Sequence, residues 1–374
     1  MKHDRRDFLK VSGVGLLAPH LLAGATKESA PAPATGLAAA PPAASGPRSL
    51  IIDTDPGVDD AVSILLAFKS TSQVRVEAIT VVAGNVESQY GTRNALSLVE
   101  YGNRLEIPVA LGAVRPLMRP QVTVRFAHGN NGFGNVEIPQ SRAKLVPQHA
   151  ADLIIDHVRA KPNQFTILAI GPLTNIALAL LKDRSIAPLV GEICFMGGTI
   201  LSNGNASPVA TFNIFADPEA AKIVINSGVP RISMVGTDVT TRVQFNAEDF
   251  ARLESSGTPF GHLASQLGGF RLRRFPSDPH GTPSVGFNDL STTVAVIDPS
   301  LFTFEAMKVD VETKGELTTG MTVANRRNLI DKIEPEGDHL GITGTLPVQP
   351  NVQVATDINA EAVKQLFLQR LTSK

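Results

Sequence analysis

IIDTDPGVDDA, residues 51–61, decides how this chain is read. A short apolar run enters it, and four aspartates follow within eight residues: Asp53, Asp55, Asp59 and Asp60. DDAVSILLAFK (59–69) then carries its apolar residues at helical spacing, so the stretch reads as a buried strand, an acidic loop and a helix start. The free amides and macrodipole of a helix start favour negative charge, which can account for Asp59 and Asp60. Asp53 and Asp55 are not explained that way. Four carboxylates in one turn raise each other's pKa unless a cation compensates. A hard divalent ion bound by oxygen is the natural solution, and Ca²⁺ takes about 6–8 oxygens at roughly 2.3–2.6 Å. The spacing is not that of an EF-hand loop, so further ligands must come from elsewhere in the chain. Acidic residues repel phosphate, which excludes a phosphate cradle.

Outward from this stretch, β-rich runs alternate with helical ones. Residues 49–53, 74–82, 108–111, 165–170, 192–196 and 232–235 are predicted strands. Helices are predicted over 59–69, 89–101, 150–159, 173–181 and 218–226. Runs such as FTILAI (165–170) are apolar throughout, as expected of parallel strands covered on both faces. The alternation predicts an α/β fold: a single domain with a mostly parallel open sheet flanked by helices. In such sheets ligands bind at the carboxyl ends of the strands. The residues that follow the predicted strands are Asp53–Asp60, Gly84-Asn85, Ile170-Gly171, Met196-Gly197-Gly198 and Gly236-Thr237-Asp238, most of them small or polar.

The 374 residues carry a formal net charge of -1, which gives no reason to expect nucleic acid or an anionic membrane as partner. The single cysteine, Cys194, cannot form an intramolecular disulfide and reads as a buried strand residue. The N-terminus reads as an export signal. Arg5-Arg6-Asp7-Phe8-Leu9-Lys10 resembles the twin-arginine motif, a modest apolar segment follows, and Ala23-Gly24-Ala25 is a small-residue cleavage site. The alternative is an amphipathic N-terminal helix. Residues 1–25 are assigned to the signal, 26–48 to a disordered Ala/Pro-rich linker, and 49–374 to the folded domain. These features predict export by the twin-arginine machinery to the periplasm or the extracellular space. No stable membrane insertion is expected after signal removal.

DTDPGVDDA (53–61) resembles the signature of the inosine–uridine-type nucleoside hydrolases. AGN (83–85), HGNNGFGN (128–135), GPLTNIALA (171–179), MGG (196–198), GNASPVATFNIFADPEAA (204–221), NDLSTTVAVIDPSLF (288–302) and VDVETKGELTTGMTV (309–323) extend the resemblance in the family's order. It implies the nucleoside hydrolase fold and hydrolysis of the N-glycosidic bond of nucleosides to base and ribose. It also implies a Ca²⁺ that holds the attacking water and the ribose diol. Carried over, Asp55, Asp60, Asp289 and the carbonyl of Ile170 are the metal ligands, Asp59 is the general base, and Asp53 is a supporting carboxylate. Asn85, Asn205 and Asn213 fall where the family grips ribose hydroxyls, and Met196 where it packs against the sugar. A homodimer or homotetramer is implied as well.

Two positions depart from the family pattern. Asn288 stands where a histidine often precedes the last ligand, and asparagine cannot deliver a proton. Thr211 stands where a glutamate usually meets the 5′ side of the ribose, leaving a roomier, less anionic corner. His128 and His280 are candidate replacement acids, each equally readable as a loop histidine; His262 reads as a surface or packing residue. Selectivity for the base is assigned to loops around 128–135 and 245–288. A nucleoside- or ribose-binding protein without turnover, and a hydrolase of a related N-riboside, are the alternatives. The intact Asp55, Asp59, Asp60 and Asp289 favour an enzyme.

Overall fold

The apolar run that enters the acidic stretch forms β1 (Arg48–Thr54), buried along its length from Ser49 onward. A computed structural model describes residues 46–139, 141–276, 282–324 and 349–374. The twin-arginine-like segment, the linker through residue 45 and His280 lie outside these described residues. Beyond β1 the chain runs through α1 (Val58–Lys69), β2 (Val74–Val81), α2 (Ser88–Tyr101), β3 (Val109–Leu111), α3 (Arg125–His128) and α4 (Ala150–Ala160). β4 (Phe165–Ala169), α5 (Thr174–Lys182), β5 (Glu192–Met196), α6 (Phe212–Ala216), α7 (Pro218–Ile225) and β6 (Ile232–Val235) follow. Next come α8 (Thr237–Thr240), β7 (Phe245–Asn246), α9 (Ala247–Ser255), α10 (Pro259–Arg274), β8 (Ser284–Val285) and α11 (Asn288–Ile297). β9 (Phe302–Met307), β10 (Val309–Val311), β11 (Thr322–Ala324), β12 (Val352–Ile358) and α12 (Ala360–Thr372) complete the described elements.

Eight strands form one sheet in the order β3-β2-β1-β4-β5-β6-β12-β9. All neighbours are parallel except β12 and β9, which pair antiparallel at one edge. The mostly parallel sheet expected from the apolar runs is therefore present, with one antiparallel edge strand added. From β1 the chain moves to one edge through β2 and β3, then returns to the other side of β1 as β4. The carboxyl ends of β1 and β4 thus flank the point where strand order reverses, the place where such sheets open a crevice.

Side chains alternate between the two faces of each strand. Leu50 and Ile52 of β1, Leu168 of β4, and Cys194 and Met196 of β5 belong to one core. Ile51, Ile167, Ala169, Ile193 and Phe195 belong to the other, under α4, α5 and α7. Cys194 is a buried free thiol, as its apolar context predicts. α1 is buried from Val58 through Phe68 and packs against α10, α11 and α12. Val363, Phe367, Leu368 and Leu371 of α12 supply part of that cover. Among the described residues no helix is long and apolar enough to cross a membrane.

Candidate active site

The acidic loop after β1 is held by hydrogen bonds that satisfy Asp60 but leave one oxygen each of Asp53, Asp55 and Asp59 without a hydrogen-bond partner. Asp60, in the first turn of α1, accepts from Thr54 Oγ1 (2.6 Å), the Gly57 N–H (2.9 Å) and Asn85 Nδ2 (2.9 Å). The Gly57 contact is the helix-start role expected of an acidic residue there. Asp55 Oδ2 accepts from the Asn85 N–H at 2.7 Å, whereas its Oδ1 has no hydrogen-bond partner. Two glycines make room for this carboxylate. A Cβ on Gly84 would stand 1.9 Å from Asp55 Oδ2, and one on Gly171 would stand 2.8 Å from Oδ1. Asp53 points to the opposite face of β1, where its Oδ1 accepts from Thr80 Oγ1 (2.5 Å) and Asn175 Nδ2 (2.8 Å).

Asp289 arrives from the first turn of α11, in a segment remote in sequence. One carboxylate oxygen from each of Asp59, Asp60 and Asp289 lies within 4.8 Å of the others, and all three residues are buried. Burial raises the pKa of Asp55 and Asp289 well above the usual carboxylate range, with repulsion from neighbouring aspartates adding to it. Burial followed by the charge of Asp59 lifts Asp60 to about 6, and burial lifts Asp53 to about 7. Orphaned oxygens and mutual repulsion at one point are what a hard cation relieves. The donor set is all oxygen, so the residues fit such an ion.

A cavity of about 320 Å³ opens over this nest. Asp59, Asp289, Asn85, Ile170, Met196, Asn205, Asn213, Asn288 and His128 all line it, which brings together most of the residues singled out in the sequence. Asp53, Asp55 and Asp60 are buried and do not line the cavity. Asn213 Nδ2 donates to the carbonyls of Ile170 (2.8 Å) and Met196 (3.2 Å), which orients the ends of β4 and β5. Asn205 Oδ1 accepts from the Phe212 N–H (2.7 Å), and Asn288 Oδ1 accepts from Thr240 Oγ1 (2.8 Å). Thr211 does not reach the cavity wall. It is fully buried, and its hydroxyl accepts from the Gly198 N–H at 2.7 Å, supporting the Met196-Gly197-Gly198 turn from behind.

His128 ends the short helix α3, and its Nδ1 accepts the Val58 N–H at 3.0 Å, at the first residue of α1. That contact places the ring proton on Nε2. Burial pushes the imidazole down to about 4, with Asp59 opposing and Arg271 assisting, so His128 is neutral at ordinary pH. It is therefore a fixed neutral donor rather than a ready acid. His262 is exposed on α10 and pairs with Glu254 Oε1 at 2.7 Å, a surface residue as expected.

Sequence reasoning did not find the rest of the wall: Val124, Phe126, Ala127, Phe212, Arg271 and Phe275. Arg271, in the last turn of α10, places Nη1 3.4 Å from Asp59 Oδ1. That oxygen nevertheless has no aligned hydrogen bond, and neither does Arg271 Nε. Phe126 and Phe275 meet edge-to-face with centroids 6.0 Å apart. The basic turn GFRLRR reads equally well as a complement to the helix dipole, so nothing local marks Arg271 as a site residue.

Residues 50–365 match the family described as inosine-uridine preferring nucleoside hydrolase. Uridine nucleosidase 1 of Arabidopsis thaliana is 41% identical over 270 residues, covering 72% of this chain and 79% of that protein. Pyrimidine-specific ribonucleoside hydrolase RihA of Escherichia coli O9:H4 (strain HS) is 36% identical over 324 residues, covering 86% and 97%. Among solved structures, the plant nucleoside hydrolase PpNRh1 superimposes with a TM-score of 0.80 at 35% identity, covering 88% of this chain and 100% of that one. Fold and site together define an N-glycosidase built on a mostly parallel α/β sheet. The chain belongs to the inosine-uridine preferring nucleoside hydrolase family.

Proposed function

We propose that this chain is a Ca²⁺-dependent ribonucleoside hydrolase that acts on pyrimidine nucleosides, uridine foremost, and serves nucleoside salvage outside the cytoplasm. The observation that carries the proposal is Asp59: a buried carboxylate whose Oδ1 lacks a hydrogen-bond partner, on the wall of a cavity of nucleoside size. The names of the relatives in Arabidopsis thaliana and Escherichia coli support the choice of base. Arg5-Arg6 and the apolar segment ahead of the family match support export.

Asp55, Asp60, Asp289 and the Ile170 carbonyl would hold the cation. When bound, it supplies positive charge that acidifies a water and anchors a vicinal diol. Asp59 takes the proton of the water that attacks C1′ as the C1′–N bond breaks and its electron pair leaves with the base. Asn85, Asn205 and Asn213 set polar groups along the sugar side of the cavity, and Met196 gives it an apolar floor. Contacts that tighten as the ribose ring flattens lower the barrier rather than only the KM.

The test is ribose released from a nucleoside panel by the mature protein, with and without EGTA. Chelator-sensitive release, greatest from uridine, is expected. Tight nucleoside binding with no ribose from any nucleoside would replace this reading with that of a binding protein. Export is tested separately: Arg5→Lys with Arg6→Lys should retain the protein in the cytoplasm.

A further inference from the structure

Cleavage leaves the base carrying the electron pair of the broken bond, and among the described residues this cavity has no ready proton donor for it. Asn288 lines the wall with its carbonyl engaged by Thr240, and His128 is neutral with Nδ1 engaged by Val58. Among the described residues, Arg271 is the cation on the same wall. Its side chain is only 13% exposed, its Nε is buried without a hydrogen-bond partner, and its guanidinium lies over the Phe287 ring at 6.0 Å. Phe126 and Phe275 stand with it on the cavity wall, and Arg274 Nε donates to the Phe126 carbonyl at 3.2 Å, tying α10 to α3, which bears His128. An aromatic pair beside a partly unsatisfied guanidinium suits a flat, polar ring better than a sugar.

We propose that Arg271 is the leaving-group stabiliser of this site, hydrogen-bonding a carbonyl oxygen of the departing base. The proposal rests on the hydrolase reading. As the C1′–N bond breaks, its electron pair passes to the base nitrogen and delocalises onto the conjugated carbonyl. Arg271 stabilises that charge without giving up a proton, because a guanidinium donates hydrogen bonds while staying charged. Water adds to C1′, its proton goes to Asp59, and the released base anion takes a proton from solvent. The substrate class follows. Bases with a ring carbonyl conjugated to the glycosidic nitrogen, such as uracil and hypoxanthine, gain from Arg271, whereas adenine, which has no carbonyl, does not.

The experiment compares uridine with p-nitrophenyl β-ribofuranoside, whose phenolate leaves without help, in Arg271→Met and Arg271→Lys. Arg271→Met should lower kcat on uridine by about 10²-fold and change nitrophenyl riboside hydrolysis by no more than about threefold. Arg271→Lys, which keeps the charge but not the fork, should fall between wild type and Arg271→Met on uridine. Equal losses on both substrates would mean that Arg271 acts through Asp59 or the fold, and would overturn the proposal. Undiminished uridine turnover in Arg271→Met would overturn it as well. Wild-type protein that cleaves neither substrate would overturn the hydrolase reading itself, a result distinct from either variant outcome.

Discussion

The two ends of the central strands handle buried negative charge in opposite ways. At the start of β5, Glu192 is 5% exposed, yet it accepts from Arg231 Nε (2.9 Å) and Ser233 Oγ (2.7 Å), with Arg48 Nη1 at 3.6 Å. At the carboxyl end, Asp53, Asp55 and Asp59 each keep an oxygen without a hydrogen bond. Among the described residues, the permanently charged group within ion-pair reach there is Arg271, and it faces Asp59 alone. Burying a charge is costly unless it is paired. Where the carboxylate holds strands together, the chain brings its own counter-charge. Where the carboxylates stand under a cavity, the pairing is left to what enters.

The largest expected effect comes from Asp59, at the open end. Asp59→Asn should lower kcat by about 10²–10⁴-fold while nucleoside binding, followed calorimetrically, persists. Unchanged turnover would remove Asp59 from the base role. Next is the cation. Saturating chelator-treated protein with Ca²⁺ at about 100 times its Kd should add about 2.7 kcal/mol of stability, seen as a higher Tm, and Asp289→Ala should erase that gain. The paired end should respond differently. Glu192→Gln should cost about 1–3 kcal/mol in denaturant unfolding, because it leaves Arg231 and Arg48 facing a neutral amide, and should leave kcat and the Ca²⁺ response intact. A change in Ca²⁺ response would dissolve the contrast between the two ends.

The smallest effect is a dependence on pH. The folded values of about 7 for Asp53 and about 6 for Asp60 stand above the ordinary 3.8, so the folded protein binds these protons more tightly than the unfolded chain. That stabilisation is complete below about pH 4 and is lost as the pH rises through about 6 to 7. His128, held near 4, works the other way below about pH 6.5, one group against several carboxylates. Chelator-treated protein should therefore lose several degrees of Tm between about pH 5 and pH 8, and Ca²⁺ should flatten the slope.

Much of this site is legible in the chain because its residues sit where a parallel sheet must end. The predicted strand at 49–53 and helix at 59–69 match β1 and α1 to within one residue, since a continuous apolar run and a helical period leave little choice. Ile170 stands out as a strand-end residue, but its ligand role, like that of Asp289, comes only through resemblance, because no local pattern brings residue 289 beside residue 59. Strands β9 (FTFEAM) and β12 (VQVATDI) went unassigned, because polar residues interrupt both and they lack the continuous apolar signal of the inner strands. Arg271 and Phe275 fall within the 245–288 stretch assigned to selectivity. Their inward direction depends on how α10 lies against α1, and spacing along one helix does not encode that.

The packing of α12 against α1 has a consequence for how this site comes into being. Residues 360–372 do not line the cavity, yet they help seal the helix whose first turn carries Asp59 and Asp60. Native contacts here join segments some 300 positions apart, as in the Lys69 Nζ bond to the Ser373 carbonyl. Such topology makes folding slow, because distant segments must meet before any contact rewards them. A ribosome that has produced β1 and α1 has made most of the acidic nest in sequence and none of it in function. A chain cut at residue 359 should therefore expose the helix that bears the reactive carboxylate, and activity should report assembly of the whole sheet rather than of its first strands.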